Sequence, residues 1–394
     1  MLSNNVANQM SGSKIVNKST THVFLFLEIF LREGGVQSYV KDIFGAYLQL
    51  DEVYQADVFI LRDSPDCQNP FASEKLQFHY FQNNSLTIGR VKLILSLLWF
   101  LWQKKPEHVF CGHVKLAVLT KTLCQLLRIP YTVLIYGKEV WEPLQNQERE
   151  ALASAAMIWV NSTYTRDRTF AANHLDLNKA QMIPCSIDGN KFTPGPKLPE
   201  LVDKYGLNNA KVLVTVARLW AGDIYKGVDV TIRALPQILE VFPEVKYLVI
   251  GRGDDQPRLA QLAKDLGVSD HVIFAGFVPT EALIFHYRLA DAYIMPSQEG
   301  FGIVYLEAMA CGIPVLSGDD DGSVDPLQNG KLGWRVPHRD AEAVAAACIE
   351  ILQGNDQRCD GQWLREQALA AFGIENFPQR LQQLLLCSSD LTNN

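Results

Sequence analysis

The segment Pro296–Val315 contains two glutamates, Glu299 and Glu307, separated by seven residues. The apolar run AYIM before it predicts a strand, and Gly300 and Gly302 predict a turn from which a helix starts at Gly302. Backbone N–H groups at such a turn, with the partial positive charge of a helix N-terminus, suit a phosphate group. Glu307 then lies about a turn and a half into the helix, where its carboxylate can reach a ribose. Solvent-facing helices also carry glutamates at this spacing, but the surrounding glycines favour a binding site.

A second segment, Ala217–Leu235, supplies two cations, Arg218 and Lys226. A departing diphosphate develops negative charge, and cations aimed at it stabilise the transition state without a metal ion. Arginine binds phosphate through two parallel hydrogen bonds, whereas lysine acts as a point charge. The alternative is a surface arginine and a lysine at the start of a helix. The nearby glutamate motif favours the catalytic interpretation.

These motifs resemble those of retaining glycosyltransferases of the GT-B fold, in particular glycosyltransferase family four. The resemblance covers roughly residues 25–334 and is most specific in the second half of the chain. It implies that Glu299 contacts the donor sugar, that Glu307 binds the nucleotide ribose, and that two cations, Arg218 and Lys226, act on the diphosphate. It also implies that backbone amides hold sugar hydroxyls and phosphate at Gly300, Phe301, Gly302 and Ile303.

Three further loops match the pattern of this family. Gly34–Gly35 (GG in LREGGVQ) follow the first predicted strand and resemble the loop at which a helix N-terminus meets the donor phosphate. Gly251–Arg252 resemble a loop beside the nucleotide base, and the resemblance implies that backbone groups of Phe277–Val278 contact a uracil-like edge. Each of these segments is also compatible with an ordinary turn between a strand and a helix.

One departure from the family pattern affects acid–base chemistry. Many relatives carry His-Gly-x-Glu in the first domain, with the histidine pointing into the cleft, whereas this chain has YGKE at Tyr136–Glu139. A histidine that shuttles protons at that place is therefore not expected. His113, at the end of another predicted strand, is the substitute candidate, although a histidine there is often structural. In a site without the usual histidine, the leaving phosphate itself is expected to serve as the base.

The acidic run Asp319–Asp321 invites a metal-binding interpretation. In the other large glycosyltransferase fold, acidic clusters bind a divalent ion that bridges the donor phosphates, and oxygen ligands hold that ion. Here Arg218 and Lys226 already supply positive charge. We therefore expect no metal ion and no other cofactor.

Composition narrows the class of protein. The 394 residues carry a net charge of -7, with 48% hydrophobic and 20% charged residues, which is typical of a globular chain with room for two domains. Residues 1–188 have 18 basic and 17 acidic side chains, whereas the remainder has 18 and 26, so nucleic acid is not an expected partner. Eight scattered cysteines without a C-x-x-C pair indicate reduced thiols in a cytoplasmic protein. Residues 1–20 lack an apolar signal-peptide core and are expected to be disordered.

Two series of strand-like apolar runs alternate with helical segments. The first series runs from His22–Leu27 to Met157–Val160 and the second from Lys211–Ala217 to Ile313–Ser317, with the proline-rich segment Phe192–Glu200 between them. This alternation predicts two parallel sheets covered by helices. With the resemblance, it predicts an α/β protein of the GT-B fold, in which two Rossmann-like, doubly wound parallel-sheet domains face each other across a cleft. The predicted boundaries are 21–192 for the acceptor-side domain, 193–373 for the nucleotide-sugar domain, and 374–394 for a helix that packs back on the first domain.

The stretch Arg90–Lys105 contains ten apolar residues between basic ends. It predicts either a buried helix of the first domain or an amphipathic helix at a membrane surface. No stretch of the sequence reaches the roughly 20 apolar residues that cross a bilayer.

The sequence thus predicts a retaining, metal-independent transferase that moves a hexose from a nucleotide sugar to a saccharide or lipid-linked saccharide acceptor. UDP-glucose is the preferred donor, and GDP-mannose is the next. A nucleotide-sugar epimerase on the same fold, a phosphorylase and a non-catalytic relative are the alternatives. The expected location is cytoplasmic. A lipid-linked acceptor would bring the protein into peripheral contact with the inner membrane face.

Overall fold

The computed structural model describes residues 20–51 and 53–390. The segment predicted to be disordered, residues 1–20, lies outside the described residues except for Thr20, which begins the first strand. The chain forms two parallel β-sheets, one of seven strands and one of six. The prediction of an α/β protein with two Rossmann-like domains is confirmed.

Seven strands form the first sheet: β1 (Thr20–Phe26), β2 (Tyr54–Ile60), β3 (Leu76–Tyr80), β4 (His108–Cys111), β5 (Tyr131–Ile135), β6 (Met157–Val160) and β7 (Ala180–Met182). Their spatial order is β3-β2-β1-β4-β5-β6-β7, and all neighbours are parallel. The order reverses between β1 and β4, so the segments that leave their carboxyl ends diverge and open a crevice there. Strands β3 and β7 were not among the predicted runs, because LQFHY mixes polar and apolar residues and AQM is only three residues long.

Helices cover both faces of this sheet: α1 (Gly35–Gln49), α2 (Leu86–Lys104), α3 (Val114–Leu127), α4 (Asn146–Ala153) and α5 (Thr163–Asn173). Helix α1 buries Ile43 and Tyr47 against one face. Helices α2 and α3 bury residues such as Leu97 and Leu123 against the other. Apolar burial on both faces explains why the central strands are hydrophobic along their whole length.

Six strands form the second sheet: β8 (Val212–Val216), β9 (Lys246–Ile250), β10 (Val272–Gly276), β11 (Ala292–Met295), β12 (Val315–Gly318) and β13 (Trp334–Val336). The order β10-β9-β8-β11-β12-β13 again reverses at one point, between β8 and β11. The loops after these two strands carry Arg218 and Glu299 respectively. The fold therefore brings the two sequence motifs to one crevice.

The second domain has helices on both faces: α6 (Pro199–Tyr205), α7 (Val228–Val241), α8 (Gln256–Asp265), α9 (Thr280–Tyr287), α10 (Ile303–Ala310), α11 (Ala341–Gln353) and α12 (Gly361–Phe372). After α12 the chain returns to the first domain. Ile187 and Gly373 form a parallel bridge, and helix α13 (Phe377–Asp390) then packs on α1. The ring centroids of Tyr39 and Phe377 lie 6.4 Å apart across that contact.

Helix α2 differs from its prediction in length and in exposure. It begins at Leu86, four residues before the predicted stretch, and among the described residues it is the helix long and apolar enough to cross a membrane. By length and composition alone, this helix therefore departs from the expectation that no segment is suited to cross a bilayer. Its inner face buries Leu93, Leu97 and Leu101, whereas Trp99 and Trp102 on its outer face are exposed.

Candidate active site

The Glu299 loop is held in place by a buried carboxylate. The backbone N–H of Glu299 donates to Asp321 Oδ2 at 2.7 Å, and the N–H of Ser323 donates to Asp321 Oδ1 at 2.9 Å. The N–H of Gly322 returns a hydrogen bond to the Glu299 carbonyl at 2.7 Å. Burial raises the pKa of Asp321 to about 7. Asp321 is therefore a loop-fixing residue, and its side chain points into the loop.

The other carboxylates of the acidic run point elsewhere. Asp320 Oδ1 accepts a hydrogen bond from the Tyr164 hydroxyl of the first domain at 3.0 Å, and Asp319 is exposed. Within residues 20–51 and 53–390, no three histidine, cysteine, aspartate or glutamate side chains are grouped as ligands for a metal ion. The three neighbouring aspartates thus have three separate environments.

Lys226 and Glu299 form an ion pair across the crevice. Lys226 Nζ donates to Glu299 Oε1, and both side chains are about five-sixths buried, with 16% exposure each. Burial alone lowers the pKa of Lys226, but the Glu299 carboxylate outweighs it and raises that pKa. Gly227 (φ 74°) lets the turn approach β11, because a Cβ there would lie 2.3 Å from the Pro296 carbonyl oxygen.

Arg218 stands at the end of β8, on the same side of the crevice. Its Nη2 lies 3.1 Å from Asp223 Oδ2, and its side chain is 58% exposed. The guanidinium also lies 5.0 Å from the ring centroid of Trp220. An exposed arginine beside a buried lysine can turn toward an anion at little cost.

Glu307 lies inside helix α10, which starts after Gly302 (φ 89°) as predicted. Its Oε2 accepts a hydrogen bond from the Tyr287 hydroxyl at 2.6 Å. Burial raises the pKa of Glu307 to about 7, and the Tyr287 hydroxyl and Lys191 partly oppose this increase. Glu307 is therefore paired with a neutral hydroxyl, whereas Glu299 is paired with the Lys226 ammonium.

Two helix N-termini meet across the cleft. Gly34 caps α1, and a Cβ on Gly35 would lie 3.7 Å from Cγ2 of Ile303 at the start of α10. Nearby, the Thr280 hydroxyl donates to Glu33 Oε2 at 3.2 Å, which links the two domains. The two partial positive charges converge on one region, as an anionic ligand requires.

The predicted base loops lie side by side. Gly251 (φ 142°) must be glycine, because a Cβ there would lie 1.8 Å from the Ala217 carbonyl oxygen. The Arg252 guanidinium lies 4.7 Å from the ring centroid of Phe277, whose side chain is half exposed, while Val278 is buried. The flat, exposed Phe277 ring offers a surface on which a planar base can stack.

The structure assigns structural roles to three of the other residues. His113 Nδ1 accepts a hydrogen bond from the Lys115 N–H at 3.1 Å and caps α3, and burial lowers the pKa of this imidazole to about 4. Tyr136, at the position of the family's histidine, donates from its hydroxyl to the Gly112 carbonyl at 2.9 Å. The Phe301 side chain is buried, with its ring centroid 5.9 Å from that of Phe372. A catalytic role for His113 thus stays a prediction beside an observed structural one.

Interdomain contacts around Gly300 were not predicted. The Thr165 hydroxyl donates to the Gly300 carbonyl at 3.2 Å, and the Thr163 hydroxyl donates to Asp325 Oδ1 at 2.9 Å. The residue type of Ser162 indicates a cap of α5. The partner of Thr163, in contrast, lies 162 residues away in the sequence, and no local pattern indicates it. The Thr165 contact joins the first domain directly to the Glu299 loop, and the Thr163 contact joins it to the segment after β12.

Two Rossmann-like domains whose crevices carry cations, a glutamate pair and facing helix N-termini define the GT-B class of glycosyltransferase folds. Over 93% of this chain and all of the other, the structure is similar to the Anabaena protein Alr3699/HepE in complex with UDP, with a TM-score of 0.77. At 19% sequence identity this similarity shows the fold.

Residues 199–361 match the family model of the glycosyl transferases group 1. A GDP-mannose-dependent alpha-(1-6)-phosphatidylinositol monomannoside mannosyltransferase of Mycolicibacterium smegmatis is 34% identical over 55% of this chain and 59% of that protein. The corresponding enzyme for the monoacylated substrate in Corynebacterium glutamicum is 25% identical over 90% of this chain and 94% of that protein. The chain spans about half the length of the first curated relatives that it matches. Residues 199–361 thus match the glycosyl transferases group 1, which supports the predicted resemblance to this family for that part of the chain.

Proposed function

We propose that this protein transfers a mannosyl group from GDP-mannose to a glycolipid acceptor, with retention of the anomeric configuration and without a metal ion. The observation that carries the proposal is the convergence of Arg218, Lys226 and Glu299 at the ends of two adjacent strands, β8 and β11. Two facing helix N-termini and Glu307, which is placed to bind a ribose, complete the groups that a nucleotide-diphosphate sugar needs for binding.

GDP-mannose replaces UDP-glucose as the preferred donor because of the sequence relatives. Those from Mycolicibacterium smegmatis and Corynebacterium glutamicum are named for GDP-mannose dependence. The Anabaena structure holds UDP, but its low sequence identity carries no argument about the donor. The exposed ring of Phe277 accommodates a purine as well as a pyrimidine.

In the proposed reaction, the bond between the sugar C1 and the β-phosphate oxygen breaks while an acceptor hydroxyl attacks from the same face. The acceptor proton passes to the departing phosphate oxygen, so no enzyme base is needed. Lys226 leaves its ion pair with Glu299 to meet the growing negative charge, and Arg218 turns from Asp223 to do the same. Glu299 then orients the sugar hydroxyls and supports positive charge at C1.

Calorimetry with GDP, UDP and ADP tests the donor assignment. We expect GDP to bind most tightly, and tighter binding of UDP would restore a UDP-hexose donor. Transfer assays with GDP-mannose and with UDP-glucose, each on membrane glycolipids of the source organism, test the activity. The anomeric configuration of the product, determined by NMR spectroscopy, tests retention. A changed donor sugar in the absence of acceptor would identify an epimerase instead.

We further propose that the outer face of α2 binds the surface of an anionic membrane. Its apolar members are strongly exposed, at 62% for Leu95, 58% for Trp99 and 64% for Trp102. Arg90 and Lys104, near its two ends, are exposed as well. Tryptophan favours the membrane–water interface, and basic side chains favour anionic lipid headgroups. Because the inner face of α2 packs on the first sheet, the helix fits a position on the membrane surface.

The position of α2 suits a lipid acceptor. It starts six residues after β3 ends, so its first turn lies at the carboxyl edge of the first sheet, where the cleft opens. Flotation with phosphatidylglycerol-containing vesicles tests the proposal on Trp99→Ser/Trp102→Ser. We expect loss of binding with an unchanged melting temperature. Leu177→Ser, an equally exposed apolar residue near the opposite sheet edge, is the matched control and should still float. Unchanged flotation of the double variant would contradict the proposal.

A further inference from the structure

The turn Tyr136–Glu139 is fixed where the two domains meet. The Glu139 carboxylate accepts hydrogen bonds from the N–H groups of Tyr136 at 2.7 Å and Gly137 at 3.2 Å. On its other side the turn touches the Glu299 loop, since a Cβ on Gly137 would lie 2.8 Å from the Cα of Gly300. Lys138 therefore projects from a hydrogen-bonded turn at the boundary between the domains.

The Lys138 ammonium lies over an aromatic ring of the second domain. Its Nζ is 3.4 Å from the ring centroid of Tyr225, well inside the range of cation–π attraction. Lys226 Nζ lies 5.3 Å from the same centroid, so one cation from each domain approaches a single ring. The Tyr225 carbonyl also accepts a hydrogen bond from the Gln298 N–H at 3.1 Å. Tyr225 is thus tied both to Lys226 and to the Glu299 loop.

We propose that Lys138 is a positioning residue, which holds Tyr225 and thereby couples closure of the two domains to the alignment of Lys226. This inference rests on the proposed function in one respect, namely that Lys226 acts on the donor diphosphate. Two neighbouring charges act on the Lys138 ammonium group in opposite directions. The Glu299 carboxylate attracts it toward the site, whereas the Lys226 ammonium repels it. The Tyr225 ring lets the two ammonium groups stay close together despite that repulsion.

The arrangement also has a role once the donor is bound. When the diphosphate draws Lys226 away from Glu299, the partly buried Glu299 carboxylate loses its ion-pair partner. Lys138 remains as a neighbouring cation, delivered by the opposite domain. Glu299 can then face the sugar without an uncompensated charge, which would be costly in a cleft shielded from water.

A double-mutant cycle tests the coupling. Lys138→Met keeps the length of the side chain without its charge, and Tyr225→Leu removes the ring. Each is expected to lower kcat for transfer by about 2- to 30-fold, the range of a cation–π contact, with little change in KM for the donor. The double variant should be no worse than the weaker single variant. Lys138→Arg and Tyr225→Phe preserve the contact and should remain close to the wild type.

Either of two kinetic outcomes would overturn the inference: wild-type kcat in Lys138→Met, or losses in the two single variants that multiply in the double variant. Small-angle X-ray scattering gives a readout that is independent of transfer. Without nucleotide, Lys138→Met should have a larger radius of gyration than Lys138→Arg, and equal radii would contradict the coupling. If the wild type transfers no sugar, the proposed function fails, while the scattering comparison still decides the role of Lys138.

Discussion

Glu307→Gln keeps the shape of the side chain and removes its negative charge. The Tyr287 hydroxyl already occupies Oε2, so Oε1 is the oxygen assigned to the ribose. Because the pKa of Glu307 is raised to about 7, most molecules carry the charge at pH 8. A hydrogen bond to a charged group contributes about 1.5–3 kcal/mol. We therefore expect the variant to bind GDP about 10- to 150-fold more weakly at pH 8.

The pH dependence sharpens this prediction. Wild-type affinity should fall between pH 8 and pH 6 as Glu307 gains a proton, whereas the affinity of Glu307→Gln should fall less over that range. Burial also raises the pKa of Asp42 to about 7, so Asp42→Asn is the matched control and should keep most of the wild-type pH dependence. Calorimetry with GDP at both pH values measures this. Wild-type affinity in Glu307→Gln at pH 8, or an unchanged pH dependence, would refute the ribose assignment.

The same carboxyl is predicted to destabilise the folded protein. Its pKa is about 7 in the fold against a usual 4.5, which corresponds to about 3 kcal/mol against the ionised form. As the pH rises, the unfolded chain releases this proton at a lower pH than the folded chain does. The free energy of unfolding therefore falls as the pH rises from 4.5 to 7. Glu307→Gln should therefore raise the melting temperature by a few degrees at pH 8 and hardly at pH 4.5. A lower melting temperature at pH 8 would contradict this account of the buried charge.

Three other predictions concern the cleft and the core. Glu299→Gln should lower turnover on the order of 10²-fold while leaving nucleotide affinity nearly unchanged, because the charge acts mainly in the transition state. Abolished GDP binding in this variant would instead show that Glu299 binds the nucleotide. Chelation by EDTA should leave turnover unchanged, since Arg218 and Lys226 supply the positive charge. A loss of turnover that magnesium or manganese restores would identify a metal requirement. Leu97→Ala should destabilise the fold by about 2–5 kcal/mol in denaturant unfolding, because Leu97 is buried; an unaltered unfolding midpoint would place it outside the core.

Local patterns were sufficient for most of the fold. The strands HVFC, MIWV and AYIM have the predicted bounds, because short apolar runs between turn residues are distinctive in a sheet buried on both faces. The helix after Gly302 was also predicted, since a glycine at a strand-to-helix turn marks its start. Strand β13 was missed because WRV has only three residues, with an arginine in the middle.

Contacts between residues that are far apart in the sequence could not be predicted from local patterns. Asp319, Asp320 and Asp321 are chemically identical neighbours, yet only Asp321 is buried against the Glu299 loop. The contact between Lys138 and Tyr225 joins turns of two different domains, and neither residue has a local pattern that indicates the other. Such pairs depend on how the domains are oriented, which periodicity and turn chemistry do not determine.

The return of helix α13 to the first domain affects the order in which the protein can fold during synthesis. Leu381 and Leu385 of this helix are fully buried in the same apolar cluster as Ile43 and Phe44. The ribosome makes them only after the entire second domain. The emerging first domain must therefore keep part of its apolar face uncovered until the second domain has been made. Release from the ribosome before residue 377 would leave that face open to chaperones and to aggregation.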